Sequence, residues 1–327
     1  MNIIRHGVFI LVLFLNTLIA KAQDSIFLRL RLVKGENYEY TYSRWDTIQG
    51  NTSFLFLRHR LKVPHQSIAG TLMIIKDIDS NGNYVLEAEQ NKLRLTLQIP
   101  FIGTVNYDSD SSGFNKNLLR GSVIENIYNN EFSAVLHHPF KIILSSSGKV
   151  ISVSGMKQVM EAVKDSVESV SDLSMTQKDQ IFKNLSKDYN DLAYKSDLNS
   201  FFDVYPDHRV AIGDQWKKEL FTGIVNPERD TYYYSLKNIR GDSVFIDVKG
   251  DIYSPGDTAA NGTPTLMTGT LTGTLIFDKN TGVILEERTY SYATGTDIFN
   301  KKIVKTQSSS KEVDEMKLLS PNAAKSH

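Results

Sequence analysis

The sequence predicts an α+β fold, a strongly curved and half-barrel-like antiparallel β-sheet built from hairpins with a helical insert packed on one face. Three observations predict it. Apolar and polar residues alternate over long stretches, glycine-bearing turns interrupt those stretches at unequal intervals, and residues 155–202 switch to a helical period. Strands on both sides of a helical segment argue for helices laid over one antiparallel sheet.

Residues 1–22 have the pattern of a secretory signal peptide. Arg5 and His6 form a short basic start, Val8 to Leu15 an apolar stretch, and Ala20-Lys21-Ala22 a small-x-small cleavage site. The apolar run is shorter than the roughly 20 residues that span a bilayer, so no transmembrane anchor is expected and the mature chain is predicted to begin at Gln23. One domain is expected over residues 23–310, followed by a polar flexible tail over 311–327 that frays from Ser308 onward.

The first strand signal is Leu28-Arg29-Leu30-Arg31-Leu32, the alternation of a half-buried strand. Tyr38, Tyr40 and Tyr42 repeat the period, and Leu93, Leu95, Leu97 and Ile99 continue it up to Pro100. Ile68 to Asp77 and Tyr84 to Glu89 flank a turn containing Asn81-Gly82. The same device recurs at Ser145 to Gly148, at Arg240-Gly241-Asp242 and at Lys279 to Gly282. Between the hairpins, Met156, Val159, Met160, Val163, Val167 and Val170 keep helical spacing. Ser174 with Gln177 reads as a capping box for a second helix, and Leu192, Leu198, Phe201 and Phe202 mark a third. A shorter helix is expected from Val123 to His137.

Composition excludes several chemistries. The chain has 37 basic and 37 acidic residues and no cysteine. Thiolate metal sites, disulfides and cysteine nucleophiles are therefore ruled out, and a neutral chain lacks the clustered positive charge that binds nucleic acid. Asp77 to Gly82 and Asp108 to Gly113 imitate calcium loops, but Ala88 and Leu119 stand where a bidentate acid belongs. Plain turns explain both better. His59 and His65, separated by Pro64, are expected in a loop or edge. No metal site, cofactor or catalytic motif is predicted, which inclines the reading away from an enzyme.

Apolar features supply the candidate site instead. Tyr38, Tyr40 and Tyr42 on one strand, and Leu271, Leu275 and Phe277 on another, present a common face suited to an apolar or amphipathic ligand. Gly269 and Gly273 share that second face and permit sharp bending. Ordinary core packing is the competing use of all of them. Trp216, just after Gly213-Asp214, is predicted to be buried, with its indole N–H bonded to an acceptor.

Pro206 to Trp216, Lys34 to Tyr40, Tyr107-Asp108-Ser109, Gly148-Lys149-Val150 and Gly273 to Gly282 resemble exported proteins of unknown function typical of Bacteroidetes-type bacteria. The hairpin–insert–hairpin order is also similar, at the level of fold, to periplasmic lipoprotein carriers. That second likeness implies a curved open sheet whose concave face takes acyl chains under helices. The expected function is a non-enzymatic exported protein that binds or carries a lipid-like ligand in the periplasm, or else at the cell surface or outside the cell. The alternative is a structural module of the envelope that recognises a protein partner, for example by accepting a strand at an open sheet edge.

Overall fold

Residues that alternate in the sequence largely alternate in space. The computed structural model describes residues 25–54, 57–99, 103–111, 132–171, 173–222, 228–258, 264–299 and 302–319. The proposed signal peptide, Pro100 to Ile102 and most of the helix expected at Val123 to His137 lie outside them. Residues 132–137 of that helix are described; 132–135 are helical and 136–137 form a turn.

Twelve antiparallel strands form one sheet: β1 (Asn37–Phe54), β2 (Leu57–Ile78), β3 (Tyr84–Ile99), β4 (Gly103–Asp108), β5 (Phe140–Leu144), β6 (Val150–Ser154), β7 (Gln215–Thr222), β8 (Glu228–Arg240), β9 (Ser243–Thr258), β10 (Pro264–Asp278), β11 (Ile284–Phe299) and β12 (Lys302–Leu318). Their order is β6-β5-β3-β2-β1-β12-β11-β10-β9-β8-β7, with β4 paired to β3. Two meanders thus join through the β1–β12 pairing, where Tyr38 lies opposite Leu318 and Gly50 opposite Thr306. The four predicted hairpins are present.

Three helices occupy the insert: α1 (Met156–Glu168), α2 (Met175–Asp188) and α3 (Asp191–Phe202). Met156, Val159, Val163 and Val167 are the buried stripe of α1, as their spacing predicts. Ser174 and Gln177 form the reciprocal capping box of α2. Asn190 caps α3 by accepting from the amides of Leu192 and Ala193.

The curvature follows from α3. If flat, the eleven strands from β6 to β7 would hold those two edges about 48 Å apart at ~4.8 Å per strand. Yet α3, a cylinder ~10 Å across, packs against both β6 and β7. Asn199 Oδ1 accepts from the Val150 amide of β6 at 2.9 Å, and Ser196 Oγ donates to the Phe221 carbonyl of β7 at 3.0 Å. Across the interior, Phe201 of α3 meets Tyr40 of β1 with ring centroids 4.7 Å apart. The sheet does not close on itself through strand pairing; it curls until one helix fills the remaining gap.

The end of the curl that carries the hairpin turns is plugged. Residues 25–33 cross it as an extended strap. The Leu30 amide donates to Ser146 O and the Arg31 amide to Thr281 O, while the Tyr84 hydroxyl donates to Leu30 O. Gly282 makes this contact feasible, because its φ is +71° and a Cβ there would overlap the Arg29 carbonyl. Leu28, Leu30 and Leu32 are buried against Tyr38, Leu275, Phe277 and Tyr205 in one continuous core.

Several sequence expectations need correction. The molecule is largely β with few helices, so α+β overstates the helical layer; strands of 16–22 residues were hidden because both of their faces carry polar side chains. Leu28 to Leu32 is one-sidedly buried but forms no ladder, since only Ile26 makes a β-bridge, with Val210. His65 lies inside the sheet, flanked by Asp46 of β1 and Leu97 of β3, whereas His59 and Pro64 lie on the stretch of β2 that is paired to β1 alone among the described residues, an edge as expected. The expected tail from Ser308, including residues 311–318, is strand β12, paired on both sides by β1 and β11.

Trp216 is 8% exposed, its indole N–H donates to Val204 O at 2.7 Å, and its ring stacks on Tyr234 at 5.5 Å. Trp216→Ala should lose about 3–5 kcal/mol in urea unfolding; an unchanged midpoint would show that the ring does not pin the insert to β8. Asn199→Ala leaves the Val150 amide without its acceptor and should lower stability by about 1–3 kcal/mol. Hydrogen exchange should speed up at Val150 while the β9–β10 amides stay protected. Equal acceleration in both places would contradict an α3 seam.

Candidate functional site

A cavity of about 600 Å³ lies inside the curl, between α3 and the inner face of strands β1, β2, β8 and β10 to β12. Three of the six predicted site residues, Tyr40, Tyr42 and Leu271, line it. The other three, Tyr38, Leu275 and Phe277, are almost completely buried in the adjoining core. Tyr290 and Tyr292, which alternate along β11, are 52% and 51% exposed.

Leu271, Ile252, Leu198 and Phe140 give the lining an apolar part. Its acidic wall lies on β11 and β12. Strand register explains how it is assembled: Asp314 of β12 lies opposite Tyr42 of β1 on one side and Glu287 of β11 on the other. Two residues away, Glu312 lies between Arg44 and Thr289. Asp230 of β8 lines the cavity as well, and the Tyr232 hydroxyl contacts its carboxylate at 3.4 Å. Like charges placed directly across a strand pair oppose folding, so this arrangement is not explained by sheet stability.

The hydrogen bonds leave the wall undersupplied with donors. Arg44, the basic side chain in the lining, directs its Nε to both oxygens of Asp46 at 2.8 Å. Its distance to Glu312 is 4.0 Å. Burial alone would raise Asp46, but hydrogen bonds from His65 and Arg44 bring its carboxyl down to about 2. The Tyr40 hydroxyl donates to Asp314 at 2.6 Å. Glu287 is only 9% exposed and has no hydrogen-bond or ion-pair partner among the described residues. Burial first, then the neighbouring Asp314 and Glu312, push Glu287 well above the usual carboxylate range. Asp314 is raised by burial and by Glu312, and burial also raises Glu312.

The calcium-like turns are occupied by their own bonds. Asp79 Oδ1 accepts from the Asn81 and Asn83 amides, and Asp77 pairs with Lys34 at 2.8 Å. Asp108 and Asp110 both pair with Arg94 at 2.9 Å. Among the described residues no three acidic or histidine side chains converge as a metal site. A second recess, about 790 Å³ around Lys76, Pro139 and Gln158, has its Lys76 and Glu87 already paired at 2.7 Å.

Sequence reasoning missed the acidic wall. The signal was there as a period of two: Tyr40-x-Tyr42-x-Arg44-x-Asp46, Glu287-x-Thr289-x-Ser291 and Glu312-x-Asp314-x-Met316.

Residues 81–284 match a family of unknown function, DUF6263. The chain belongs to that family. No curated protein matches the sequence. Among solved structures, this DUF6263 member aligns with the COG4313 outer membrane channel from Pseudomonas putida F1 at 8% identity, over 88% of this chain and 97% of that one, with a TM-score of 0.21. Pseudomonas aeruginosa OpdQ aligns at 5% identity over 88% and 100%, with a TM-score of 0.21. Pseudomonas aeruginosa OccK7 (OpdD) aligns at 6% over 88% and 100%, with a TM-score of 0.20. Similarity this low carries no argument about architecture or role. In this DUF6263 member the outer face is mixed: Thr268, Thr270, Thr272, Lys311 and Glu315 are exposed there together with Leu266, Tyr290 and Tyr292, while Leu271 and Leu275 of β10 are buried. Among the described residues no helix is long and apolar enough to cross a membrane.

The raised carboxyls fix a direction for pH dependence. Below the ordinary carboxylate range both folded and unfolded chains hold these protons, so no difference arises. Above it the unfolded chain releases them while the folded chain retains them, and stability contributed by these groups falls as pH rises. Glu287→Gln and Asp314→Asn should each flatten this fall between pH 4.5 and 8 in urea titrations of the ligand-free protein. A variant profile parallel to the native one would show that the two acids are not responsible.

Proposed function

We propose that this is an exported, non-enzymatic envelope protein that binds an amphipathic small molecule inside its curled sheet. The observation that carries the reading is the interior cavity of about 600 Å³ whose lining combines apolar side chains with acidic ones. Its size falls within the ~300–1,000 Å³ typical of small-ligand pockets. The signal-peptide pattern of residues 1–22 supports an exported chain, with the periplasm as its compartment.

The competing reading, a module that accepts a partner strand, needs a free edge: α3 bonds Val150 of β6 and Phe221 of β7, while β4 is paired to β3 alone among the described residues.

Native mass spectrometry after incubation with a total envelope extract should reveal a small-molecule adduct that is released on unfolding. Ala69→Phe projects a ring into the cavity from β2 and should remove the adduct while changing the melting temperature by only a few degrees. The absence of any adduct, or an adduct retained in Ala69→Phe, would refute binding at this place.

A further inference from the structure

We propose that the cavity selects an amphipathic organic cation, an alkyl amine whose ammonium is held by Glu287 and Asp314 and whose tail lies against Leu271 and Ile252. This rests on the ligand-binding reading above and specifies the chemistry of the ligand. The decisive feature is the balance of partners around the wall. Of the residues that line the cavity, Asp197, Asp230, Glu287, Glu312 and Asp314 are acidic and Arg44 is basic. Arg44 is engaged by Asp46 through two bonds of 2.8 Å. Glu287, nine-tenths buried and lining the cavity, lacks any donor among the described residues. A buried carboxyl without a partner is costly to keep, and an ammonium brings three donors and a compensating charge.

A bare metal ion fits less well. The carboxyls are spread along β11 and β12 and, among the described residues, no three acidic or histidine groups converge on one point. The tyrosines point to an organic cation instead. Tyr40, Tyr42 and Tyr232 also line this part of the cavity, and aromatic faces attract ammonium groups once water is excluded.

The charged and titratable groups that line the cavity with Glu287 come from every surrounding element: Tyr40, Tyr42 and Arg44 from β1, Asp230 and Tyr232 from β8, Glu312 and Asp314 from β12, Tyr189 at the end of α2, and Tyr194 and Asp197 from α3. In the empty protein, burial and mutual repulsion favour the protonated acids. An arriving cation favours the carboxylates, so binding releases protons and tightens as pH rises. A neutral ligand held by protonated acids would show the reverse dependence.

The experiment compares n-octylammonium, n-octanol and n-octanoate, which share a chain and differ in head charge, by isothermal titration calorimetry at pH 5.5 and 8. Paired buffers of different ionisation enthalpy count the protons released. Octylammonium should bind at least about tenfold tighter than octanol at pH 8, a gap of ~1.4 kcal/mol, with proton release and weaker binding at pH 5.5. Octanoate should bind weakest. Glu287→Gln and Asp314→Asn, each checked for folding by circular dichroism, should collapse the octylammonium-to-octanol ratio. Equal binding of all three, or affinity that falls with rising pH, would overturn the cation site and leave the cavity as a general apolar pocket. If none of the three binds, the cation site and the ligand-binding reading both fall.

Discussion

The architecture depends on the seam at α3. A curled sheet that fails to meet itself leaves two rows of unpaired backbone groups, and those invite pairing with other chains. Here the gap is filled by a helix whose side chains take the place of a neighbouring strand: Asn199 accepts from one edge and Ser196 donates to the other. The Lys218–Asp203 pair, 2.7 Å apart, ties the end of the insert to β7 as well. Because α3 touches both edges and reaches Tyr40 across the interior, it sets the radius of the curl and hence the existence of a cavity.

The two ends of the interior are treated differently. Toward the hairpin turns, the strap at residues 25–33, Tyr205 and the large apolar side chains of β1 and β10 fill the space completely. The Tyr205 hydroxyl donates to the Gly282 carbonyl at 2.7 Å, so even the polar tip of that ring is satisfied. Farther along β1 the inward residues become Tyr42, Arg44 and Asp46, and packing gives way to charge. Stability is concentrated in one half of the shell, leaving the other half free to carry groups that oppose folding.

The sequence showed the hairpins, the helical insert and the burial of Trp216, because each depends on apolar spacing or on a turn residue with a single conformational use. It did not show β12. A strand is recognised by the apolar character of its inward face, and Glu312 and Asp314 occupy that face, so the segment reads as a polar tail. The strap failed in the opposite sense. Alternation in Leu28 to Leu32 reports burial on one side and says nothing about a ladder. Of the candidate site, alternation identified the inward face of β1 and β10 correctly. Which inward residues reach the cavity depends on how tilted strands stagger around the curl, a property of the closed shape that local spacing cannot encode. The acidic wall was least legible, because its members come from strands far apart in sequence that meet only through register.

That register bears on how ligand and fold are linked. Asp314 and Glu287 face each other across β12 and β11, where an apolar pair would be more stable. The empty shell relieves the conflict by holding protons, and any group that supplies positive charge at the same place relieves it in another way. A ligand that binds the folded state alone stabilises it in proportion to its occupancy. A cation held at this place would therefore compete with protons for the same two carboxyls.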